Sequence, residues 1–152
     1  MESQDIFDKI MELPGINVFK PFYQKHKEAL LYLFFGGLAF FLNLFLFILF
    51  TSFMGINELI ANAISWVICV LFQFFTNRIW VFDGYVETIK EFVQQVSYFF
   101  GGRIFTLVVE EVILAIFITW LAFNSVLVKL IAQVIVIILN YIISKFYVFK
   151  KS

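Results

Sequence analysis

The 152-residue chain is 62% hydrophobic, holds 23 Phe and carries only 14% charged residues, far too apolar for a soluble domain of this length. Eleven basic and eleven acidic residues leave no net charge, which argues against a nucleic-acid binder. The composition implies the bilayer as solvent, so the placement of charge along the chain matters more than its sum.

Residues 3–13 put Ile6, Phe7, Ile10, Met11 and Leu13 on one side of a potential helix and Asp5, Asp8, Lys9 and Glu12 on the other, until Pro14-Gly15 breaks it. This predicts a cytoplasmic N-terminal amphipathic segment within a polar region 1–28, lying on the membrane surface or against the bundle. Its acids make a purely electrostatic grip on anionic lipid a poor reading. Lys20, Lys25, His26 and Lys27 follow, with His26 read as a solvated juxtamembrane group. The first apolar run is longer than the core of a signal peptide, so no cleavage is expected.

No charged residue occurs from Ala29 to Asn57, nor from 59 to 77. A helix needs about 20 residues, at 1.5 Å each, to cross about 30 Å of hydrocarbon. These runs predict spans at about 30–52 and 58–80, joined by a turn at Met54-Gly55-Ile56-Asn57. Residues 83–96 then recur as Val86, Ile89, Phe92, Val93 and Val96 at helical spacing among charged and amide residues, the pattern of a second, interfacial amphipathic helix. Spans at about 98–121 and 125–148 complete a transmembrane domain over 29–152, with a short turn at Phe123-Asn124-Ser125 between them. Cys69, inside an apolar run, reads as a small core residue.

The chain repeats itself. Asn77-Arg78-Ile79-Trp80-Val81-Phe82 returns 67 positions on as Ser144-Lys145-Phe146-Tyr147-Val148-Phe149, and Phe35-Gly36-Gly37 returns as Phe100-Gly101-Gly102. The N-terminal segment, the loop from 78 to 103 and the C-terminal end hold ten of the eleven basic residues and neither outer turn holds one, which predicts cytoplasmic termini and a cytoplasmic middle loop. The expected fold class is therefore an all-α membrane protein: four transmembrane helices as two tandem hairpins in parallel repeat, plus the two cytoplasmic amphipathic helices.

The first two spans carry no charge in their interiors, whereas the last two carry Arg103, Glu110, Glu111 and Lys129. Ionisable groups at that depth cost a few kcal/mol unless paired or hydrated, so they mark candidate sites. Arg103, Thr106 and Glu110 share one helix face; Lys129, Gln133 and Asn140 share another; Asn62, Gln73 and Asn77 recur on span two, and Asn43 lies on span one. These groups predict a polar cavity in a four-helix bundle. Two readings stay open at this point: the charges lock helix register as ion pairs and the amides join helices, or they receive a polar ligand. Arg78 and Lys145 can likewise be snorkelling anchors beside Trp80 and Tyr147.

Arg78, Lys145 and Arg103 fall toward the cytoplasmic ends, while Lys129 lies about 24 Å along the helix from Lys145, near the outer face. Cations at both levels, with Gln73, Gln133, Asn43 and Glu110 lining the space between, suit a phosphate-bearing headgroup that crosses the membrane. There is no Gly-rich phosphate loop, no His or Cys set with metal spacing, and no nucleophile beside a base. Glu110 and Glu111 diverge by about 100° on a helix and cannot face one substrate atom. No catalysis, metal or cofactor is expected.

Gly36, the Asn77-Arg78 pair with Trp80-Val81-Phe82, Phe99, Arg103, Lys129, Asn140, Lys145 and Val148-Phe149 together resemble the GtrA-like (GtcA-like) family of small four-span membrane proteins, over roughly residues 30–150. The second ending differs from the first in Tyr147 for Trp80 and Ser144 for Asn77, so the two half-sites are not equivalent. The resemblance implies flipping of an undecaprenyl-phosphate-linked monosaccharide across the bacterial cytoplasmic membrane, for teichoic acid, O-antigen or related glycans. It also implies partnership with a membrane glycosyltransferase that makes the lipid-linked sugar. By analogy Arg103, Lys129, Asn77 and Asn140 hold the headgroup. The alternatives are a noncatalytic subunit that anchors such a glycosyltransferase and a small-solute transporter; a homo-oligomer is compatible with each.

Overall fold

The computed structural model describes residues 5–150, which are helical with no strand among them. They divide into two compact units at Asp83/Gly84. Helix α1 (Ile6–Ile10) is short, and a 3-10 turn at Asn17–Phe19 leads into α2 (Lys20–Ile48). The remaining helices are α3 (Glu58–Thr76), α4 (Ile89–Leu114) and α5 (Ser125–Ile143).

Local chemistry sets the starts. Asp5 and Asp8 form a reciprocal capping box for α1, and Thr88 and Glu91 do the same for α4. Asn57 and Asn124 cap α3 and α5 by accepting from Leu59 N and Leu127 N, each at 3.0 Å. The four long helices all end by widening into a π-type turn, at Leu49–Phe53, Asn77–Val81, Ala115–Trp120 and Ser144–Val148. There an N–H reaches back five residues: Phe82 to the Asn77 carbonyl and Phe149 to that of Ser144, both at 2.9 Å. These bonds satisfy backbone groups that a helix end otherwise leaves open, an advantage where water is scarce.

The second residue after three of these turns is left-handed: Gly55 (φ +65°), Asp83 (φ +47°) and Ala122 (φ +53°). Glycine suits this conformation and alanine does not. Ala122→Gly is therefore expected to raise stability by about 1 kcal/mol and Gly55→Ala to lower it by a similar amount, read as opposite shifts of the unfolding midpoint in detergent.

Within the first unit α3 packs along α2, burying Leu31, Phe35 and Ala39 together with Ala61, Ser65, Cys69 and Phe74. Aromatic contacts tie the end of α3 to the start of α2's apolar part: Phe35 stacks on Trp80 at 5.4 Å, and Tyr32 meets Phe82 at 6.2 Å. Helix α1 also docks on α2. Phe7 lies edge-on to Phe34 and Phe35 at 5.8 and 5.6 Å, and Lys27 bonds both Asp5 and Asp8 at 2.8 Å. Burial pushes the Asp5 carboxyl upward, but the Lys27 and backbone N–H bonds outweigh it and hold the group below its ordinary value.

In the second unit α5 packs along α4. Phe99 meets Phe149 at 6.0 Å, and Gly102 lets the helices approach, since a Cβ there would lie 2.8 Å from Ile143 Cγ2. Gly84 sits against the Phe149 ring, and its carbonyl accepts a hydrogen bond from Gln95 Nε2 at 3.0 Å.

Among the described residues three helices are long and apolar enough to cross a membrane: Asn17–Phe53, Glu58–Val81 and Ser125–Val148. Helix α4 has the length but holds Arg103, Glu110 and Glu111 in its apolar half. Two sequence expectations change. The interfacial helix expected over 83–96 and the span expected over 98–121 form one helix, because nothing between Ile89 and Leu114 breaks it and the Thr88–Glu91 cap starts it late. The N-terminal element covers only Ile6–Ile10 of the expected 3–13, and residues 3–4 lie outside the described ones.

Candidate functional site

The polar groups of the second unit meet along the α4–α5 seam. Glu110 is buried, and its Oε1 accepts from Lys129 Nζ and from Gln133 Nε2, the latter at 2.7 Å. Lys129 and Gln133 stand one turn apart on α5, so both reach the same carboxylate. One turn before Glu110 the buried Thr106 Oγ1 donates to Asn140 Oδ1 at 2.9 Å and also approaches the Arg103 carbonyl at 3.1 Å. Arg103 places its guanidinium 4.5 Å over the Phe99 ring. From Arg103 to Glu110 the seam climbs about 10 Å.

This seam can hold an anion as well as join helices. The Lys129 side chain is 52% exposed against 10% for Glu110, and an ammonium has three donors, so pairing with the carboxylate leaves capacity for a second acceptor. Of the two acids, Glu110 turns inward and Glu111 stays exposed, as their helical divergence requires. The sequence reading placed Thr106 on the Arg103 face but gave it no role; its partner is 34 residues away, which no local pattern reports.

Lys145 lies at the far end of α5, 3.5 Å from the Tyr141 hydroxyl and 5.8 Å above the Phe146 ring, in keeping with an anchored interfacial cation. In the first unit Asn77 is buried where the π turn begins, while Arg78 and Gln73 are half-buried on the same helix. Asn43 lies against the Cys69 thiol on the α2–α3 contact. The structure thus joins Glu110, Lys129 and Gln133 into one cluster and Thr106 with Asn140 into another. Asn43, Gln73, Asn77 and Arg78 belong to the first unit. Among the described residues no group of three or more His, Cys, Asp or Glu could hold a metal ion.

Sequence reasoning missed Gln95, read as one of the polar residues of an interfacial amphipathic helix. It is buried, and its bond to the Gly84 carbonyl ties the segment before α4 to that helix. A glutamine beside an otherwise charged face, eleven residues after a glycine, gives no recognisable signal.

Comparison with known proteins bears on what such a seam is for. The GtrA/DPMS transmembrane-domain model matches residues 31–149. The cell wall teichoic acid glycosylation protein GtcA of Listeria innocua is 40% identical over 123 residues, covering 81% of this chain and 85% of that protein. Its namesake in Listeria monocytogenes is 39% identical with the same coverage. The uncharacterized membrane protein YwcD of Bacillus subtilis is 25% identical over 122 residues, covering 80% of this chain and 96% of that protein. No solved structure matches the chain. A match over most of the length, on a helical frame whose apolar helices suit a bilayer, places this chain as a membrane protein of the GtrA/DPMS transmembrane-domain family.

Proposed function

We propose that the protein moves a polyprenyl-phosphate-linked monosaccharide from the inner to the outer leaflet of a bacterial cytoplasmic membrane, for glycosylation of teichoic acid or a related surface polymer. The observation that carries this reading is the α4–α5 seam, where Arg103, Thr106, Asn140, Glu110, Lys129 and Gln133 form a polar line through otherwise apolar helices. The similarity to teichoic acid glycosylation proteins supports it. Groups that cost this much to place in hydrocarbon are retained where a polar substrate passes.

In this reading all four long helices cross the membrane as two hairpins with cytoplasmic ends. Helix α4 crosses despite its charges because Glu110 is neutralised by Lys129. The phosphate first meets Arg103 with Lys145, and the polyprenyl tail stays in lipid beside the helices. Amides at Gln133 and Asn140 serve the sugar hydroxyls. Lys129 then takes the phosphate by sharing donors that it now turns toward Glu110. No bond is made or broken; synthesis of the lipid-linked sugar by a glycosyltransferase inside, and its consumption outside, set the direction.

The test is leaflet exchange of a short-chain polyprenyl-phosphate sugar in liposomes holding the purified protein, its Arg103→Ala variant or its Lys129→Met variant. Wild-type exchange, with loss in both folded variants, is the expected result. Folded wild-type protein that exchanges no lipid would overturn intrinsic transport and leave a noncatalytic partner of a glycosyltransferase.

A further inference from the structure

The N-terminal segment combines two features that rarely meet in a water-exposed arm: its acids are satisfied within the chain, and its large apolar side chains are not covered. Asp5 and Asp8 are both bound by Lys27, and Glu12 is bound by Lys20 at 3.0 Å. Yet Ile6, Leu13, Val18, Phe19 and Phe22 remain exposed, Val18 and Phe19 at 77% and 63%. Exposed apolar clusters of this kind mark a surface meant to be covered.

Three observations say what covers it. Phe7 packs against Phe34, itself half exposed on the apolar wall of α2, so the apolar surface of the arm is continuous with the surface that α2 turns to lipid. Phe34 stands six residues beyond Glu28, the last charge before the span, so α1 docks within about 9 Å of the point where hydrocarbon begins. Helix geometry breaks at His26 (φ −119°, ψ 16°), which frees the turn at Lys20–Lys25 from the direction of the span. With the acids locked away, the exposed Lys9 and Lys25 are the cations left to face anionic headgroups.

We propose that residues 6–25 form an in-plane elbow whose exposed apolar side chains insert into the headgroup–acyl boundary of the bilayer that the chain itself spans. Insertion is driven by apolar burial, with lysine attraction to anionic lipid a secondary contribution, and Lys27 is the clasp that holds the acids away from the headgroups. The elbow fixes the depth of α2 and keeps the first unit from sliding along the membrane normal. It is independent of which lipid the protein transports.

The test uses nitroxide labels at Leu13→Cys, Val18→Cys and Phe19→Cys in a Cys69→Ala background, in vesicles of phosphatidylethanolamine and phosphatidylglycerol. Glu58→Cys, at the polar first residue of α3, is the aqueous reference. Collision with oxygen is compared with collision with a water-soluble nickel chelate. The expected result is an oxygen-to-nickel ratio severalfold above the Glu58 reference at all three positions, little changed by high salt. A ratio equal to the reference places the arm in water and overturns the proposal. Shielding from both reagents means a protein, such as a second copy of the chain, covers the arm, and overturns it equally.

Discussion

Lys129→Ala is expected to destabilise the protein by about 1–3 kcal/mol, the cost of leaving the buried Glu110 without the donor of its half-exposed partner. Glu110 is buried beneath Lys129 and Gln133. With the ammonium gone, the carboxylate keeps only an amide donor in a region of few waters, so water must be drawn into the helix contact. The double variant Glu110→Gln/Lys129→Ala should recover most of the loss, because a neutral amide can bond Gln133 without a counter-charge. Unfolding midpoints of the four proteins, compared as a double-mutant cycle, read the coupling directly. A Lys129→Ala protein as stable as wild type would show that the pair contributes nothing to the fold. Transport separates the two roles of this lysine: the double variant should fold and insert yet fail to exchange lipid-linked sugar.

Gly84→Leu should cost about 1–3 kcal/mol through overpacking and also weaken the arginine end of the seam. Any Cβ at Gly84 collides with the Phe149 ring, which is 3% exposed and has little room to retreat. Phe149 contacts Phe99, and Phe99 lies beneath the Arg103 guanidinium, so displacement at position 84 passes through two rings to the proposed phosphate ligand. Gly101→Ala is the control: nothing lies within 4 Å of its added Cβ, and alanine favours the helix interior, so a gain of up to about 1 kcal/mol is expected. Thermal midpoints together with lipid exchange by the two variants check both statements. A Gly84→Leu protein with wild-type midpoint and exchange would disconnect this contact chain from the site.

The sequence by itself determined where the apolar helices lie, because a charge-free run long enough to cross a bilayer has few ways to satisfy its backbone except as a helix. It also marked the helix ends. Asn57 and Asn124 are short-range caps, and the repeated endings at Asn77 and Ser144 both close on the same five-residue turn. Such features depend on residues within a few positions of one another, so they can be read along the chain. It further marked Arg103, Glu110 and Lys129 as exceptional, since charge inside an apolar run is visible without any fold.

Tertiary structure decided which of those groups meet. Glu110 and Lys129 are 19 residues apart and Thr106 and Asn140 are 34 apart, and their pairing depends on the register between α4 and α5, which close approach at Gly102 helps to set. Spacing on one helix gives a face but not what that face meets. The same limit hid Gln95 behind an amphipathic pattern, and it hid the pairing of Asp5 and Asp8 with Lys27. Pairing energies of this kind arise only when two elements are brought together, so the chain order specifies the partners without displaying them.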